Sequence, residues 1–234
     1  MGTPTKPATV TGNKRHTMKA WWHEYDRHNF GDWITPYIIQ KITGVMPTHS
    51  NTGKHYMLVG SILQDANSNT TVLGAGFGAR DQMCTGRPKV HIVRGHITGE
   101  MLTKAGYPTT WIYGDPAITL PLLYQPKTTK LYKHGFVPHY VDYPLFKDLH
   151  EPNTIVIDIT MPVEQVITQM AMCASLETSS LHGLIVGEAY GIPTTLKKYS
   201  NKIAGDGMKY DDYRTSPVSP HRVLALIKHH ILGR

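Results

Sequence analysis

Three groups of polar residues in this chain sit just after apolar, strand-like runs. Arg94 follows VHIV, Asp115 follows WIYG, and Ser179, Ser180 and His182 follow SLET. Ligands of open parallel sheets bind beyond the carboxyl ends of the strands, so this placement marks candidate site residues. A guanidinium at Arg94 suits bidentate capture of a phosphate or carboxylate. It equally suits solvation of a strand end or pairing with a neighbouring carboxylate. Asp115 precedes Pro116 and reads either as a helix cap or as a catalytic carboxylate. The stretch SSLHGLIVGEAYGIP reads as a helix capped by Ser180, with Leu181, His182 and Gly183 as its first three residues. The free N–H groups of such a turn, and the helix dipole, favour an anion. An imidazole beside that anion can donate a hydrogen bond or a proton. The alternative is a capped core helix with an incidental histidine. Gly183, Gly187 and Gly191 fall four apart, which would leave a bare strip where a neighbouring element approaches closely, and Gly191 suits the position that ends a helix.

Other polar clusters carry weaker chemistry. In HNFGD, Asn29 and Asp32 either form an Asx turn around Gly31 or reach a ligand. GAGFG is neither G-x-G-x-x-G nor a P-loop, and its glycines read as turn and close-approach positions. His134 and His139 lie near Asp142, but no H-E-x-x-H motif or paired-cysteine spacing accompanies them, so no metal is expected. The C-terminal histidines of HRV and KHH read as a solvated helix end.

These residues need elements to hold them. ITPYIIQKITG predicts a helix over 34–44, with Thr35 as cap, Pro36 at its first position, Gly44 at its end, and Ile34, Ile38 and Ile42 on one buried stripe. HYMLVGS, TTVLGAGFG, KVHIVRG and TTWIYGDP predict strands. TGEMLTKAG and PAITLPLLY predict helices between and after them. In the second half LYKHGFVPHYV, NTIVIDI, ASLET and IPTTLKK predict strands. PVEQVITQMAMC, with Val163, Val166, Ile167 and Met170 on one face, the SSLHG segment and VSPHRVLALIKHHIL predict helices. Alternating strands and helices imply an α/β fold with parallel sheets covered on both faces. The chain divides into a disordered lead over 1–18 and two α/β halves, 19–126 and 127–234, with a cleft between; one continuous sheet is the alternative.

Composition narrows the partners. The 234 residues carry a formal net charge of +7, which suits nucleic acid, an anionic surface or small anionic substrates. The basic residues are dispersed and no nucleic-acid-binding signature appears, so no nucleic-acid partner is expected. Cys84 and Cys173 imply no disulfide framework and suit a reducing compartment. The opening MGTPTKPATVTGNK lacks an apolar signal core, and no apolar run approaches the roughly 20 residues that span a bilayer. A cytoplasmic protein, soluble or peripheral, is expected.

Five segments in this order, NFGDWITPYIIQKITG, VRGHIT, YGDPAITLP, FVPHYVD and SSLHGLIVGEAYGIP, resemble the polysaccharide pyruvyl transferase family across about residues 28–213, including GDGMKYDDY near the end. The resemblance implies a GT-B-like pair of Rossmann-like halves facing a cleft. It implies transfer of the enolpyruvyl-derived group of phosphoenolpyruvate to a sugar or polysaccharide acceptor, forming a pyruvate ketal and releasing phosphate. No cofactor is implied beyond phosphoenolpyruvate as donor. By this resemblance Arg94 and His182 would contact the donor, with Ser179, Ser180 and the Gly183 backbone assisting. His182 would be either the acid that protonates the enol carbon or a ligand of the phosphate. Asn29, Asp32, Asp115 and His139 would line the cleft or shape its loops. The chain is shorter than many members of that family. A nucleotide-sugar glycosyltransferase and a non-catalytic glycan-binding relative are the alternative functions.

Overall fold

The computed structural model describes residues 18–24, 28–108, 112–216 and 218–233. Residues 1–17 of the expected lead lie outside them. The first long helix, α1 (Phe30–Thr43), begins one turn earlier than its Pro36 suggests. Asn29 is its N-cap residue and Gly44 closes it in the left-handed conformation, φ 77°. Pro36 sits inside the helix, where it removes only the N–H that would have bonded the Asp32 carbonyl. Thr35 is therefore not a cap. Its buried hydroxyl donates to Val59 O (3.4 Å) and accepts from Val59 N (3.0 Å), tying α1 to the adjacent strand end. Ile34 and Ile38 are fully buried, and Ile42 packs at the core's edge.

The strands are short and all pair in parallel. The first sheet contains β1 (Lys19–Ala20), β2 (Thr48–His49), β3 (His55–Met57), β4 (Thr70–Leu73), β5 (Lys89–Val93) and β6 (Ile112–Tyr113), ordered β2-β1-β3-β4-β5-β6. The second contains β7 (Tyr132–Val137), β8 (Thr154–Val156), β9 (Cys173–Thr178) and β10 (Thr194–Leu196), ordered β10-β9-β7-β8. The strands thus form two separate sheets, and not the one continuous sheet of the alternative. Both halves are Rossmann-like, with no closed barrel. β1 and β2, of two residues each, carry too little alternation to be read from sequence.

Between the strands lie α2 (His96–Lys104), α3 (Val163–Ala171) and α4 (Leu181–Ala189), followed by α5 (Met208–Arg214) and α6 (Pro220–Leu232). The face predicted for α3 is the buried one. PAITLPLLY forms a 3₁₀ segment, Pro116–Leu122, rather than an α-helix. Pro121 cannot donate an interior helical hydrogen bond, which favours the tighter, shorter form.

One apolar core runs through both halves, joining Ile34 and Ile38 to Val137, Ile185 and Ile227. A smaller core lies around Met57, Val72, Val93 and Met208. Polar ties cross the same junction. Phe30 N donates to Ile159 O at 2.8 Å, and Tyr37 Oη donates to Glu164 at 2.9 Å. α5 and α6 turn back from the second sheet, α5 packing on α2 and α6 on the 3₁₀ segment and α1. The two sheets therefore face one cleft, with α5 placed across the carboxyl end of β5.

Candidate active site between the two sheets

The cleft encloses about 330 Å³ and draws its walls from both halves. Asn29 and Asp32 come from the start of α1, Ser61 and Gln64 from the segment after β3, His139 from the loop after β7, Ser180 and His182 from the start of α4, and Lys202 and Lys209 from the C-terminal segment. Asn29, Asp32, His139, Ser180 and His182 are among the residues expected here.

The start of α4 forms as its sequence predicts. Ser180 Oγ accepts from Gly183 N at 3.3 Å, and Thr178 Oγ1 accepts from Ser180 N at 2.9 Å. Gly183 and Gly187 are close-approach positions. A Cβ on either would lie 2.3 Å from a threonine hydroxyl, Thr178 Oγ1 for Gly183 and Thr194 Oγ1 for Gly187. The Gly183 amide is thus absorbed by the cap and its α-carbon by packing, so it presents no free N–H to a ligand. Gly191, φ 67°, follows the helix in the left-handed region.

His182 is 8% exposed. Its ring lies against α1, where a Cβ on Gly31 would fall 2.1 Å from Nδ1. Its Nε2 faces Asp115 Oδ2 at 3.8 Å. Both atoms are buried, and neither has a hydrogen-bond partner among the described residues. Asp115 is the cap anticipated above, accepting from Ala117 N at 2.9 Å through Oδ1. It stands behind His182 and does not line the cleft. One carboxylate thus caps the 3₁₀ segment with one oxygen and confronts the imidazole with the other.

Asp32 occupies the first turn of α1 and is 7% exposed. Burial pushes its carboxyl above the usual range. A hydrogen bond from Asn29 and the nearby charges of His182, His23 and Lys209 oppose that rise. Asn29 thus holds the carboxylate of Asp32 rather than closing an Asx turn. Burial, helped by the Lys209 charge, pulls the His139 imidazole down to about 4, so this ring is neutral at neutral pH. Burial, then Arg94, pulls the Lys209 ammonium down to about 8, while Asp32 opposes the shift.

Arg94 is not on the cleft wall. Its side chain is fully buried, donating from Nε to Asp212 at 2.9 Å, from Nη1 to Ser61 Oγ at 2.8 Å and from Nη2 to Phe77 O at 2.6 Å. Gly76 of GAGFG provides the room, because a Cβ there would sit 2.6 Å from the guanidinium carbon. Asp212 is satisfied in turn by Thr98 N (2.8 Å) and Thr98 Oγ1 (2.7 Å). Of the two readings of Arg94, pairing with a carboxylate is the one observed. Ser179 is likewise engaged, donating to Asp142 at 2.7 Å and accepting from His139 N at 3.0 Å. Arg94 and Ser179 act from behind the wall, through Ser61 and His139.

Lys209 is the main residue that sequence reasoning missed. α5 has seven residues rich in Asp and Tyr, and its pattern carries no obvious helical stripe. Its one signal is the Asp206-Gly207 pair, which starts the helix with Gly207 at φ 86° and Asp206 Oδ1 accepting from Met208 N at 2.9 Å. His134 and Cys173 lie on the second sheet, away from the cleft. Among the described residues no group of three or more His, Cys, Asp or Glu is placed to hold a metal ion, and no helix is long and apolar enough to cross a membrane.

No family model matches the chain, and no solved structure matches it significantly. Two curated proteins do. Succinoglycan biosynthesis protein ExoV of Rhizobium meliloti is 27% identical over 209 residues, which cover 84% of this chain and 64% of ExoV. Uncharacterized protein L143 of Acanthamoeba polyphaga mimivirus is 31% identical over 213 residues, covering 85% of this chain and 74% of that protein. On that identity, extending over most of both chains, the protein belongs to the same family as mimivirus protein L143.

Proposed function

We propose that this cleft transfers the pyruvyl group of phosphoenolpyruvate to a sugar, in the synthesis or decoration of a polysaccharide. One observation carries the reading: a buried imidazole, with an unpartnered ring nitrogen facing an unpartnered carboxylate oxygen, at the mouth of a helix that opens into a cleft with lysines in its wall. Phosphoenolpyruvate is a compact double anion with a basic enol carbon. It calls for positive charge, a helix N-terminus and a proton donor. The five motifs shared with the polysaccharide pyruvyl transferases support the same reading. So does similarity to ExoV, which is named for the biosynthesis of a polysaccharide.

In this reading Lys209 and Lys202 take the anion-binding role expected of Arg94, which instead fixes Ser61 and α5. His182 delivers a proton to the methylene carbon, making a methyl group and leaving the central carbon electrophilic. A sugar hydroxyl adds there, forming one C–O bond and giving its proton to Asp32 or solvent. The C–O bond to phosphate then breaks, phosphate departs with its electron pair, and a second hydroxyl closes the ketal and loses its proton. The products are ketal and inorganic phosphate, with no redox change. Asp115 positions the His182 ring and balances its charge.

The test is phosphate release from phosphoenolpyruvate across a panel of acceptor sugars. Release should require an acceptor and fall about 10²–10⁴-fold in His182→Ala, the span of a lost general acid. Unchanged turnover in that variant would remove His182 from the chemistry. Tight binding of a nucleotide sugar, with none of phosphoenolpyruvate, would replace the reading with glycosyl transfer.

A further inference from the structure

A second hollow, of about 390 Å³, opens beside the cleft and is walled by His28, Tyr140, Tyr143, Pro144, Asp158 and Thr160. Tyr140 lines both spaces, so the hollow and the cleft that holds His182 and Asp32 share a wall residue. His28 and Asn29, adjacent in sequence, face one space each. The hollow lies where the two halves meet, because His28 leads into α1 while Tyr140, Tyr143 and Asp158 follow strands of the second sheet.

Its walls combine flat rings with a small number of polar atoms. The His28 ring stacks on Trp33, with centroids 4.5 Å apart and 25° between the planes. It is also held by the backbone of Thr160. Its Nδ1 is buried and has no partner among the described residues. Tyr140 is held against His139, with ring centroids 4.4 Å apart. Asp158 Oδ1 accepts from Thr160 N and Thr160 Oγ1, both at 2.8 Å. Its Oδ2 has no hydrogen bond among the described residues. A pyranose matches this arrangement, having apolar C–H faces for the rings and an equatorial hydroxyl for Oδ2. The free carboxylate oxygen selects a neutral sugar, since an acidic one would bring like charges together.

We propose that this hollow is a saccharide subsite, which holds the neutral hexose next to the residue modified in the cleft, so that the acceptor is at least a disaccharide. The proposal rests on the reading of the cleft as a sugar-modifying site and adds the length and charge of the acceptor. Tyr143 and His28 supply stacking faces, Asp158 supplies the hydroxyl acceptor, and Tyr140 divides the subsite from the reacting centre. None of the four is given a step in the transfer.

The experiment is binding of cellobiose, and of its analogue with a glucuronic acid at one end, to the full chain by amide-resolved NMR. Phosphoenolpyruvate turnover is measured in parallel. Cellobiose should shift the amides of 140–143 and 158–160, and the acidic analogue should bind more weakly at those amides. Tyr143→Ala should weaken cellobiose about five- to tenfold, the loss of one stacked ring. Tyr143→Phe should keep most of the affinity. In turnover, Tyr143→Ala should raise the KM for a disaccharide acceptor and leave the KM for phosphoenolpyruvate unchanged. Cellobiose binding elsewhere, or equal loss in Tyr143→Ala and Tyr143→Phe, overturns the subsite. Saccharide binding at these amides without phosphoenolpyruvate turnover keeps the subsite and removes the pyruvyl reading; turnover without shifts here does the reverse.

Discussion

Arg94, at the end of β5, and Asp212, on α5, form an ion pair of 2.9 Å in which neither side chain is exposed. It joins the carboxyl edge of the first sheet to a segment 118 residues later, and so seats the helix that carries Lys209.

Breaking this pair strands a buried charge. Arg94→Ala should lower the unfolding free energy by about 3–5 kcal/mol, read from denaturant midpoints at constant m. Asp212→Asn should lose a comparable amount, because it leaves the buried guanidinium without its counter-charge. Wild-type stability in Arg94→Ala, with phosphoenolpyruvate affinity alone reduced, would mean that the guanidinium reaches the donor.

Gly31 and His182 make opposing demands on one position. Alanine in a helix is favoured over glycine by about 1 kcal/mol, yet a methyl group here would fall 2.1 Å from Nδ1 of His182. Gly31→Ala should therefore keep its thermal midpoint within a few degrees and lose about 10²-fold in turnover, as expected for a displaced catalytic group. Full activity with the imidazole resonances unmoved would contradict the packing described here.

The charge on Lys209 sets a pH limit. Its pKa of about 8, depressed first by burial and then by Arg94, means the ammonium is present below that pH and lost above it. Affinity for phosphoenolpyruvate should fall as the pH rises through about 8. Lys209→Arg should move that fall out of range, and Lys209→Met should weaken binding at every pH and remove the inflection. His139, pulled down to about 4, adds no inflection there. Titration calorimetry across pH reads all three.

The glycines of α4 should rank by what surrounds them. Gly183→Ala meets Thr178 Oγ1, which is fixed by its bonds to Val137 O (2.6 Å) and Ser180 N (2.9 Å). Gly187→Ala meets Thr194 Oγ1, which among the described residues is held by Ile192 O alone, at 2.7 Å. Overpacking of about 1–3 kcal/mol should place Gly183→Ala at the upper end and Gly187→Ala below it. Gly191→Ala has open space but φ 67°, and should cost about 1–2 kcal/mol from backbone conformation alone. Equal midpoints for all three would show that the helix moves away from the strands freely.

Features that depend on neighbours along the chain could be read from residue order alone. Alternating apolar runs and helical stripes are local patterns, so the α/β class, the buried face of α3 and the course of α4 were legible. The caps at Ser180 and Asp115, the end at Gly44 and the packing role of Gly183 and Gly187 were legible for the same reason. The start of α1 was not, because Pro36 imitates a first helical residue and only the packing of Thr35 on Val59 shows that it lies inside. Other features depend on residues far apart. Only the tertiary structure sent Arg94 inward to Asp212, since a guanidinium at a strand end looks alike whether its counter-charge is a ligand or a carboxylate 118 residues away. Only it brought Lys209 to the cleft, turned His182 against Gly31 and Asp115, and set His28 opposite Tyr140 and Tyr143. In each case the deciding quantity is burial and charge at a junction of two halves, which spacing along one chain does not encode.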